Sequence, residues 1–415
     1  MRTPTFLLAL LIGSGPLLSQ PIVELSLDQA IQHATENNAQ VRVQSLERKA
    51  AEKVLIQNIA LGLPSIQVGG NYADNIELPA QFFDINQDGV IDKLQFGTRY
   101  NSVGNFSVNQ LVFDGSYIVA VLATQVLRDM AEANYEKAVI STREQVAQAY
   151  HLRVVLGENY TALKASLANT AFTLKNMQAM QTEGFMAEED VDQLSIVYHN
   201  LEANLANLEN QMVLAEQLLK LQCGFSSETV LTLSTSMEAL LVKVDGAATL
   251  LSAPFEVQKH IDYRQLTTNR QGQYLNLQNE KMQFLPKFYA GYAYNRQFVS
   301  EDANVYNPDG VSANSADFQS WNLSAQLPIF SSGRRLARVQ EQKIKLQEVD
   351  ILLENTANAL ALQHNQARSE YENALKVYRI QEQNVLLTQR VMKNTEARLN
   401  EGMASTMEYA QASSQ

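Results

Sequence analysis

A run of acidic and amide residues near position 90 has the spacing of a calcium-binding loop. In DINQDGVID, the oxygen ligands Asp84, Asn86, Asp88 and Asp92 fall at loop positions 1, 3, 5 and 9, and Gly89 falls at position 6. Position 12, where a bidentate Glu is expected, holds Gln instead. A turn built from Asp, Asn and Gly explains the same residues without a metal. The sequence leaves both interpretations open: weak calcium binding, and a plain turn.

A second acidic run offers different chemistry. Glu188, Glu189 and Asp190 are consecutive, and carboxylates at the start of a helix are stabilised by its dipole. A solvated helix start therefore explains them. If an oligomer repeated them by symmetry around an opening, however, they would form a ring that selects or binds cations. The basic cluster Gly333-Arg334-Arg335 is interpreted as a helix-start or interfacial feature.

The sequence gives little support for disulfides, metal sites, catalytic motifs or nucleic-acid binding. The single cysteine excludes an intramolecular disulfide and a multi-cysteine metal site, and no two of the five histidines lie three or four residues apart. No nucleophile-elbow, dinucleotide-binding or Walker motif follows the N-terminal segment. A net charge of -12 argues against nucleic-acid binding. We expect no enzyme activity and no cofactor beyond weak Ca²⁺ in the loop.

The N-terminus has the features of an export signal. Arg2 precedes the apolar run Phe6–Gly13, and Pro16 and the polar pair Ser19-Gln20 follow. We predict a signal peptide over residues 1–20. After Pro21 no run of 18 or more apolar residues occurs, so the mature chain would reach a membrane only through strands.

The sequence contains the same pattern twice. Segments recur in the same order at offsets of 218 to 222 residues; for example, the glycines of EGFMAEEDV and EGMASTMEY, Gly184 and Gly402, lie 402 − 184 = 218 residues apart. The other pairs are LPSIQVGGNYA with LPKFYAGYAYN, NFSVNQLVFDG with NLSAQLPIFSSG, and Asp88-Gly89-Val90 with Asp309-Gly310-Val311. We predict a first structural repeat over 21–245 and a second, C-terminally truncated repeat over 246–415.

Each repeat has the same series of elements. A capping box, Ser26 with Gln29, begins a helix that periodicity extends towards Leu61. The further predicted elements are strands about 64–76 and 96–113 and helices about 116–182 and 187–222, then a helix, strands about 286–298 and 318–330, and a helix about 333–400.

The predicted strands alternate between apolar and polar residues. The apolar sets are Ile66, Val68 and Tyr72; Tyr100, Phe106, Val108 and Val112; Phe288, Ala290, Tyr292 and Tyr294; and Trp321, Leu323, Ala325, Leu327 and Ile329. Asn105, Ser107 and Asn109 occupy the opposite face. Aromatic-rich segments of about 10 residues with this alternation are typical of outer-membrane strands. A soluble, half-buried sheet has the same alternation.

The predicted helices are long and carry heptads. About 65 residues without proline would form a rod of about 100 Å. Two series step by seven: Val191, Tyr198, Leu205, Met212 and Leu219, and Val339, Leu346, Leu353, Leu360, Ala367 and Ala374. These patterns predict antiparallel coiled coils. Four strands cannot close a barrel, and open edges in lipid leave backbone groups unpaired, so strands in a membrane would require several chains to share one barrel.

With these elements in place, the chain resembles the TolC-like outer membrane efflux proteins. The resemblance is carried by LSLDQAIQHA, by the Leu63-Pro64 and Leu285-Pro286 strand entries, by QLVFDG and QLPIFSSG, and by the Glu-Gly turns. It implies a mixed α and β membrane protein: a homotrimer with four transmembrane strands per chain in a shared barrel, and coiled-coil helices forming a periplasmic α-barrel. It places the chain in the outer membrane of a Gram-negative bacterium.

The resemblance also implies a function and partners. The chain would be the passive outer membrane channel of a tripartite efflux or secretion system, in contact with outer membrane lipid, a periplasmic adaptor and an inner-membrane pump. The helix tips that meet the adaptor would include Glu183, Gly184, Asp190, Glu401 and Gly402. The alternative is a secreted or periplasmic coiled-coil structural or adaptor protein. Adaptors carry one helical hairpin, whereas the hairpin here is duplicated. The exported substrate, whether drug, metal ion or protein, stays open.

Overall fold

The computed structural model describes residues 22–83, 92–246, 254–301, 303, 305–306, 315–405, 408–409 and 411–412. The predicted signal peptide lies outside the described residues, as do Asp84, Asn86 and Asp88 of the calcium-loop prediction. Asp92, the fourth predicted ligand, begins a short strand.

The described chain consists of long helices and a small number of strands. The strands are β1 (Ile22–Leu25), β2 (Ser65–Asp74), β3 (Ala80–Phe83), β4 (Asp92–Gln95), β5 (Tyr100–Phe113), β6 (Val230–Leu233), β7 (Lys287–Ser300) and β8 (Ser315–Gln326). The helices are α1 (Leu27–Asn37), α2 (Ala39–Ala60), α3 (Gly115–Thr182), α4 (Glu188–Cys223), α5 (Met237–Gly246), α6 (Ile261–Met282) and α7 (Arg334–Asn400). The prediction of a mixed α and β fold is confirmed.

The main sheet joins strands from both repeats. Its order is β2-β5-β7-β8, and each neighbouring pair is antiparallel. The β2–β5 and β7–β8 pairs are the predicted strand pairs of the two repeats, and β5–β7 connects one repeat to the other. Strands β2 and β8 each have one edge without a partner in the described chain. Two smaller sheets pair β1 with β6 in parallel and β3 with β4 antiparallel.

Two strand boundaries differ most from the predictions. Strand β8 ends at Gln326, so Leu327 and Ile329 lie beyond it. Because Pro328 has no backbone N–H, it cannot continue the ladder, and its carbonyl oxygen instead accepts a hydrogen bond of 2.8 Å from Arg335 Nη1. That contact agrees with the interpretation of the basic cluster as a helix-start feature. Strand β5 begins at residue 100 rather than 96, because Gly97 has a φ of +116°, outside the extended region.

The first predicted helix is divided in two. Ser26 forms the predicted capping box with Gln29, so that prediction is confirmed. Helix α1 ends at Asn37, however, because Asn38 has a ψ of 134°. The Asn38 side chain accepts hydrogen bonds from the backbone N–H groups of Gln40 (2.8 Å) and Val41 (3.4 Å) and thereby caps α2. The prediction of one continuous helix towards Leu61 was therefore wrong at Asn38, where the chain leaves the helical conformation for one residue.

The chain divides into two compact units, and each unit takes residues from both repeats. Within the described residues, the first contains those up to Ser45, those from Tyr135 to Glu256 and those from Ala359 onwards, and the second contains those from Leu46 to Asn134 and from Val257 to Asn358. The first unit has a core around Tyr150, Leu219 and Cys223, all fully buried. The Tyr150 hydroxyl donates to the carbonyl oxygen of Leu25 at 3.0 Å and so ties α3 to β1. The second unit contains the main sheet.

The heptad series lie on the covered sides of their helices over part of their length. In α4, Val191 and Leu219 are buried, and the three members between them are partly covered. In α7, Val339, Leu346, Leu353 and Leu360 are covered in the same way. Ala367 and Ala374 are exposed. None of the helices in the described residues is long and apolar enough to cross a membrane.

Candidate functional site: the helix tips and the two faces of the sheet

The turn between α3 and α4 is a Schellman motif. Gly184 has a φ of +80°, and its N–H donates to the carbonyl oxygen of Gln181 at 2.9 Å. The N–H of the next residue, Phe185, donates to the carbonyl oxygen of Met180, also at 2.9 Å. Glycine adopts this left-handed conformation without a steric penalty, which explains the Glu-Gly sequence at the turn.

The turn after α7 has the same hydrogen bonds. Gly402 has a φ of +73°, and its N–H donates to Leu399 O at 3.0 Å, while Met403 N donates to Arg398 O at 2.7 Å. The Arg398 guanidinium also donates to the carbonyl oxygen of Met403 at 3.1 Å. The predicted tip residues Gly184 and Gly402 therefore occupy equivalent turns, and Glu183 and Glu401, which precede them, are exposed.

The segments that follow these two turns differ in their capping hydrogen bonds. After the second turn, Ser405 Oγ accepts a hydrogen bond from Glu408 N at 3.2 Å. After the first turn the N-cap is Ala187, which offers no side-chain hydrogen bond, and the first turn of α4 holds Glu188, Glu189 and Asp190. Carboxylates there stabilise the positive end of the helix dipole when a side-chain cap is missing. The structure thus gives the acidic run a structural role, and the cation-ring hypothesis stays a prediction.

A small apolar core lies beneath the two tips. It consists of Met177, Val191, Leu194, Leu399 and Tyr409, and Tyr409 is completely buried. Its hydroxyl lies 3.4 Å from Thr173 Oγ1 on α3. Val191 and Tyr409 stand at the same place in the two repeats, seven residues after the turn glycine. The first unit therefore packs both hairpin tips around one cluster.

The residues that follow the turn glycines point apolar side chains into solvent. Phe185 is 80% exposed and Met403 is 59% exposed. Sequence reasoning missed both, because an apolar residue is ordinarily expected to be buried. The available signal was the equivalent position of the two residues directly after Glu-Gly in each repeat. Two exposed apolar side chains next to carboxylates are suited to contact a protein partner with an apolar pocket and a basic rim.

The main sheet separates most of its apolar residues from most of its polar residues, with Gln319 and Phe318 as exceptions. One row of paired residues contains Ile66, Val108, Tyr292 and Trp321. The rings of the last two lie 4.9 Å apart. We call this side the apolar face; it comprises Ile66, Val68, Tyr72, Phe106, Val108, Ala290, Tyr292, Tyr294, Trp321 and Leu323. Val68 is 81% exposed and Trp321 is 84% exposed, so this part of the face is uncovered in the described chain. At its other end the face is partly covered, since Tyr306 contacts Ser102 and Phe298.

The opposite side carries amides and hydroxyls. This polar face comprises Ser65, Gln67, Asn71, Asn101, Asn105, Ser107, Asn109, Asn295, Gln297, Ser320, Asn322 and Ser324. Asn105 Nδ2 donates to Asn295 Oδ1 at 2.7 Å, and Gln297 Nε2 donates to Asn101 Oδ1 at 3.2 Å. The predicted strand faces are therefore placed on opposite sides of one sheet.

Where the strands meet the helices, one ion pair is well sheltered. Asp114 follows β5 directly, and its Oδ2 lies 2.8 Å from Lys287 Nζ at the start of β7. Its Oδ1 accepts a hydrogen bond of 2.7 Å from Ser116 N and so caps α3. Burial alone would raise the pKa of Asp114, but the hydrogen bonds from Lys287 and from backbone amides outweigh it and lower that pKa.

The described residues form no group of side chains suited to metal binding, and the one cysteine is buried. Among these residues, no three His, Cys, Asp or Glu side chains are grouped to hold a metal ion. His33 Nδ1 lies 3.0 Å from the carbonyl oxygen of Cys223, and His260 caps α6. Burial raises the pKa of the Cys223 thiol to about 11, which keeps it in the unreactive thiol form.

Comparison with known proteins identifies the fold. Residues 275–415 match the outer membrane efflux protein family. The outer membrane protein VceC of Vibrio cholerae is similar, with a TM-score of 0.69 and 16% identity, covering 94% of this chain and 89% of that one. The CmeC outer membrane channel of Campylobacter jejuni has a TM-score of 0.69 and 16% identity, covering 94% and 79%. The MtrE outer membrane channel of Neisseria gonorrhoeae has a TM-score of 0.63 and 14% identity, covering 93% and 82%.

A comparison with curated protein sequences gave no significant match. The family match and the structural matches nevertheless agree, since both point to outer membrane proteins. The family match concerns the second repeat, and the structural matches span nearly the whole chain. The predicted resemblance is therefore confirmed: the chain has the fold of outer membrane channels, and its second repeat carries the sequence pattern of the outer membrane efflux proteins.

Proposed function

We propose that the chain is the outer membrane channel of a tripartite efflux or secretion system in a Gram-negative bacterium. Its strands lie in the outer membrane and its helices lie in the periplasm. It acts as a passive duct, without catalysis, for substrates delivered by an inner-membrane pump. The observation that carries this proposal is the main sheet, which has one predominantly apolar face and one predominantly polar face.

Most of the apolar face requires a cover that the described part of the chain does not supply. Four of its members, Ile66, Val68, Trp321 and Leu323, are each 66% to 84% exposed. Transfer of one such aliphatic side chain out of water is worth about 1.5–3 kcal/mol, and a contiguous exposed patch of this kind marks an interaction surface. Outer membrane lipid covers a surface of alternating, aromatic-rich strand residues, while the polar face turns to an aqueous lumen.

The free edges of β2 and β8 require partners of their own. Unpaired backbone groups in lipid cost several kcal/mol each. In the antiparallel order β2-β5-β7-β8, β8 of one copy is correctly oriented to pair with β2 of the next. A closed ring of copies therefore satisfies every edge, and we propose the trimer that the family resemblance implies. Three copies supply twelve strands, which is enough for a barrel with an aqueous interior.

The helix tips are the proposed contact with a periplasmic adaptor. Phe185 and Met403 would enter apolar pockets of the adaptor, and the neighbouring Glu183, Glu401 and Asp190 would face its basic residues. The alternative of a secreted or periplasmic coiled-coil protein does not account for the apolar face, since the described residues would leave most of it exposed to water. Calcium binding at Asp84, Asn86, Asp88 and Asp92 stays a proposal, tested by calcium titration of the intact oligomer with loop protease sensitivity as the readout.

Disulfide trapping of the proposed β8–β2 contact tests the channel directly. Gln67→Cys on β2 is combined in turn with Ser320→Cys, Asn322→Cys and Ser324→Cys on β8. All four positions lie on the polar face, and a disulfide requires Cβ atoms about 3.8 Å apart. We expect one combination to give multi-chain bands, up to three chains, that a reductant abolishes.

Val68→Cys in place of Gln67→Cys is the matched control. It moves the thiol by one residue to the apolar face, so crosslinking with the same β8 positions should disappear. The protein should also need detergent for extraction and should run as a heat-labile oligomer. A monomer that is soluble in plain buffer and gives no crosslink in any combination would refute the proposed channel.

A further inference from the structure

The strands of the main sheet carry few charged residues, and only one of these lies on the polar face. The four charged residues in β2, β5, β7 and β8 are Asp74, Lys287, Arg296 and Asp317. By register, Lys287 pairs with Gln326 and belongs to the polar side, at the helical end of β7. Its ammonium is neutralised by the Asp114 carboxylate at 2.8 Å.

The other three charges belong to the apolar side and are also paired. Arg296 stands opposite Asp317 in the register, and their side chains approach to 3.5 Å. Asp74 accepts a hydrogen bond of 2.9 Å from Arg99. The charges of the strands therefore do not act on the polar face as isolated charges.

What remains on the polar face is uniformly neutral. One row across the sheet contains Gln67, Ser107, Ala293 and Ser320. The next contains Ser65, Asn109, Gly291 and Asn322. Amides and hydroxyls both donate and accept hydrogen bonds, so they solvate anions and cations alike. This neutrality contrasts with the net charge of -12 of the chain.

We infer that the outer-membrane section of the duct has a lining without unpaired charge and passes solutes of either sign equally, so that charge selection by the duct arises outside this section, as at the acidic helix tips. The inference rests on the proposed function, because it takes the polar face as the lumen. It makes the substrate class of the sheet section broad: anionic, cationic and zwitterionic solutes meet the same amide surface. Acidic residues at a pore favour cations, and on the described strands no acidic residue points to the polar face.

Cysteine accessibility tests whether the polar face lines an aqueous lumen and whether that lining is electrically neutral. Ser107→Cys places a thiol on the polar face, and Val108→Cys places one on the apolar face one residue later. The native Cys223 is fully buried, so it provides a silent background. Each full-length variant, reconstituted in lipid vesicles, is treated with a cationic and an anionic membrane-impermeant methanethiosulfonate, and the rates are normalised to a free model thiol.

Phe185→Cys supplies the charged reference. It lies at the tip, two residues after Glu183 and three residues before the carboxylate run of α4. One unpaired carboxylate about 6 Å from a thiol favours the cationic over the anionic reagent by about tenfold in water of low salt. We expect a ratio of about 1 at position 107, unchanged by added salt, and a ratio several-fold above 1 at position 185 that falls as salt is raised.

The outcomes separate the two proposals. Reaction at position 107 but not at 108, with a normalised ratio near 1, supports the inference. A ratio at position 107 that equals the ratio at 185 and falls with salt overturns the neutral lining while leaving the channel intact. Equal access at 107 and 108, or access at 108 alone, overturns the orientation of the sheet and with it both the proposed channel and the inference.

Discussion

Replacing Asp114 is expected to destabilise the junction between the sheet and the long helix α3. The carboxylate makes two contacts at once: Oδ1 accepts from Ser116 N at 2.7 Å, and Oδ2 lies 2.8 Å from Lys287 Nζ. The Asp114 side chain is only 11% exposed and that of Lys287 is 31% exposed. The pair is therefore shielded from solvent far better than an ordinary surface ion pair.

The size of the effect follows from these two contacts. Loss of an N-cap side chain costs about 1 kcal/mol, and loss of a hydrogen bond to a charged group costs about 1.5–3 kcal/mol. Asp114→Ala removes both contacts and is expected to lower the free energy of unfolding by about 2–4 kcal/mol. Asp114→Asn keeps an oxygen that can cap α3 and loses only the charge, so about 1–2 kcal/mol is expected.

The effect has a defined pH dependence. Because the pKa of Asp114 is lowered in the folded protein, its contribution is fully present above the ordinary carboxyl pKa of about 4. It is lost as the pH falls through the folded pKa. The stability difference between the unmodified protein and Asp114→Asn should therefore be constant near neutral pH and should shrink below about pH 4.

Denaturant titration of the detergent-solubilised protein checks this prediction. Trp321 is the only tryptophan and lies in the same sheet, so its fluorescence reports the unfolding of this region. Lys287→Met and the double variant with Asp114→Asn complete a cycle that isolates the pair, and a coupling energy of about 1 kcal/mol or more is expected. Identical unfolding of Asp114→Ala and the unmodified protein at neutral pH, with no change in the acid limb, would refute this reasoning.

Three further predictions concern the turns and the tips. Gly224→Ala should lower the free energy of unfolding by more than about 2 kcal/mol, about 1 from the φ of +79° and the rest because the new Cβ would lie 2.5 Å from a carbonyl oxygen of α1. Gly184→Ala, with a φ of +80° and open space around it, should cost only about 1 kcal/mol. Thermal unfolding compares the two variants, and equal losses would contradict the role of the close contact. Tyr409→Ala should cost about 3–5 kcal/mol locally, since the ring is fully buried, and Tyr409→Phe less than about 1.5 kcal/mol; hydrogen exchange at the tips measures both, and equal protection in the two variants would argue against a packing role. Phe185→Ser with Met403→Ser should weaken adaptor binding at least tenfold without changing the unfolding midpoint; a binding titration with the purified adaptor decides, and unchanged affinity would remove the tips from the interface.

The sequence was most informative about the faces of the sheet. Alternation placed Ile66, Val108, Tyr292 and Trp321 on apolar sides of separate strands, and the structure aligns them in one row. Alternation has a period of two, so it predicts which side a residue occupies. It contains no information on which strand is the neighbour, and the central β5–β7 pairing could not be predicted from it.

The boundaries were harder to predict for local reasons. Leu327 and Ile329 continue the apolar alternation beyond β8, but Pro328 between them cannot donate to a ladder. Asn38 interrupts the helical pattern because its side chain caps the next helix. Hydrophobic periodicity cannot reveal a break caused by one capping amide side chain. At the tips, the Glu-Gly pairs predicted the turns, whereas the exposure of Phe185 and Met403 depends on how far each turn projects from its core.

The central β5–β7 pairing has a consequence for how the protein folds. Its residues are distant along the chain: Asn105 hydrogen-bonds to Asn295, 190 positions later. The β2–β5 pair can form as soon as the first repeat has been made, but its other edge must then wait for the second repeat to be synthesised. Pairing over such a separation is slow, and in the interval a strand edge next to an apolar face is prone to aggregate. The duplicated architecture therefore makes the first repeat dependent on the second, and we expect a chaperone or delayed folding to shield the first hairpin until β7 arrives.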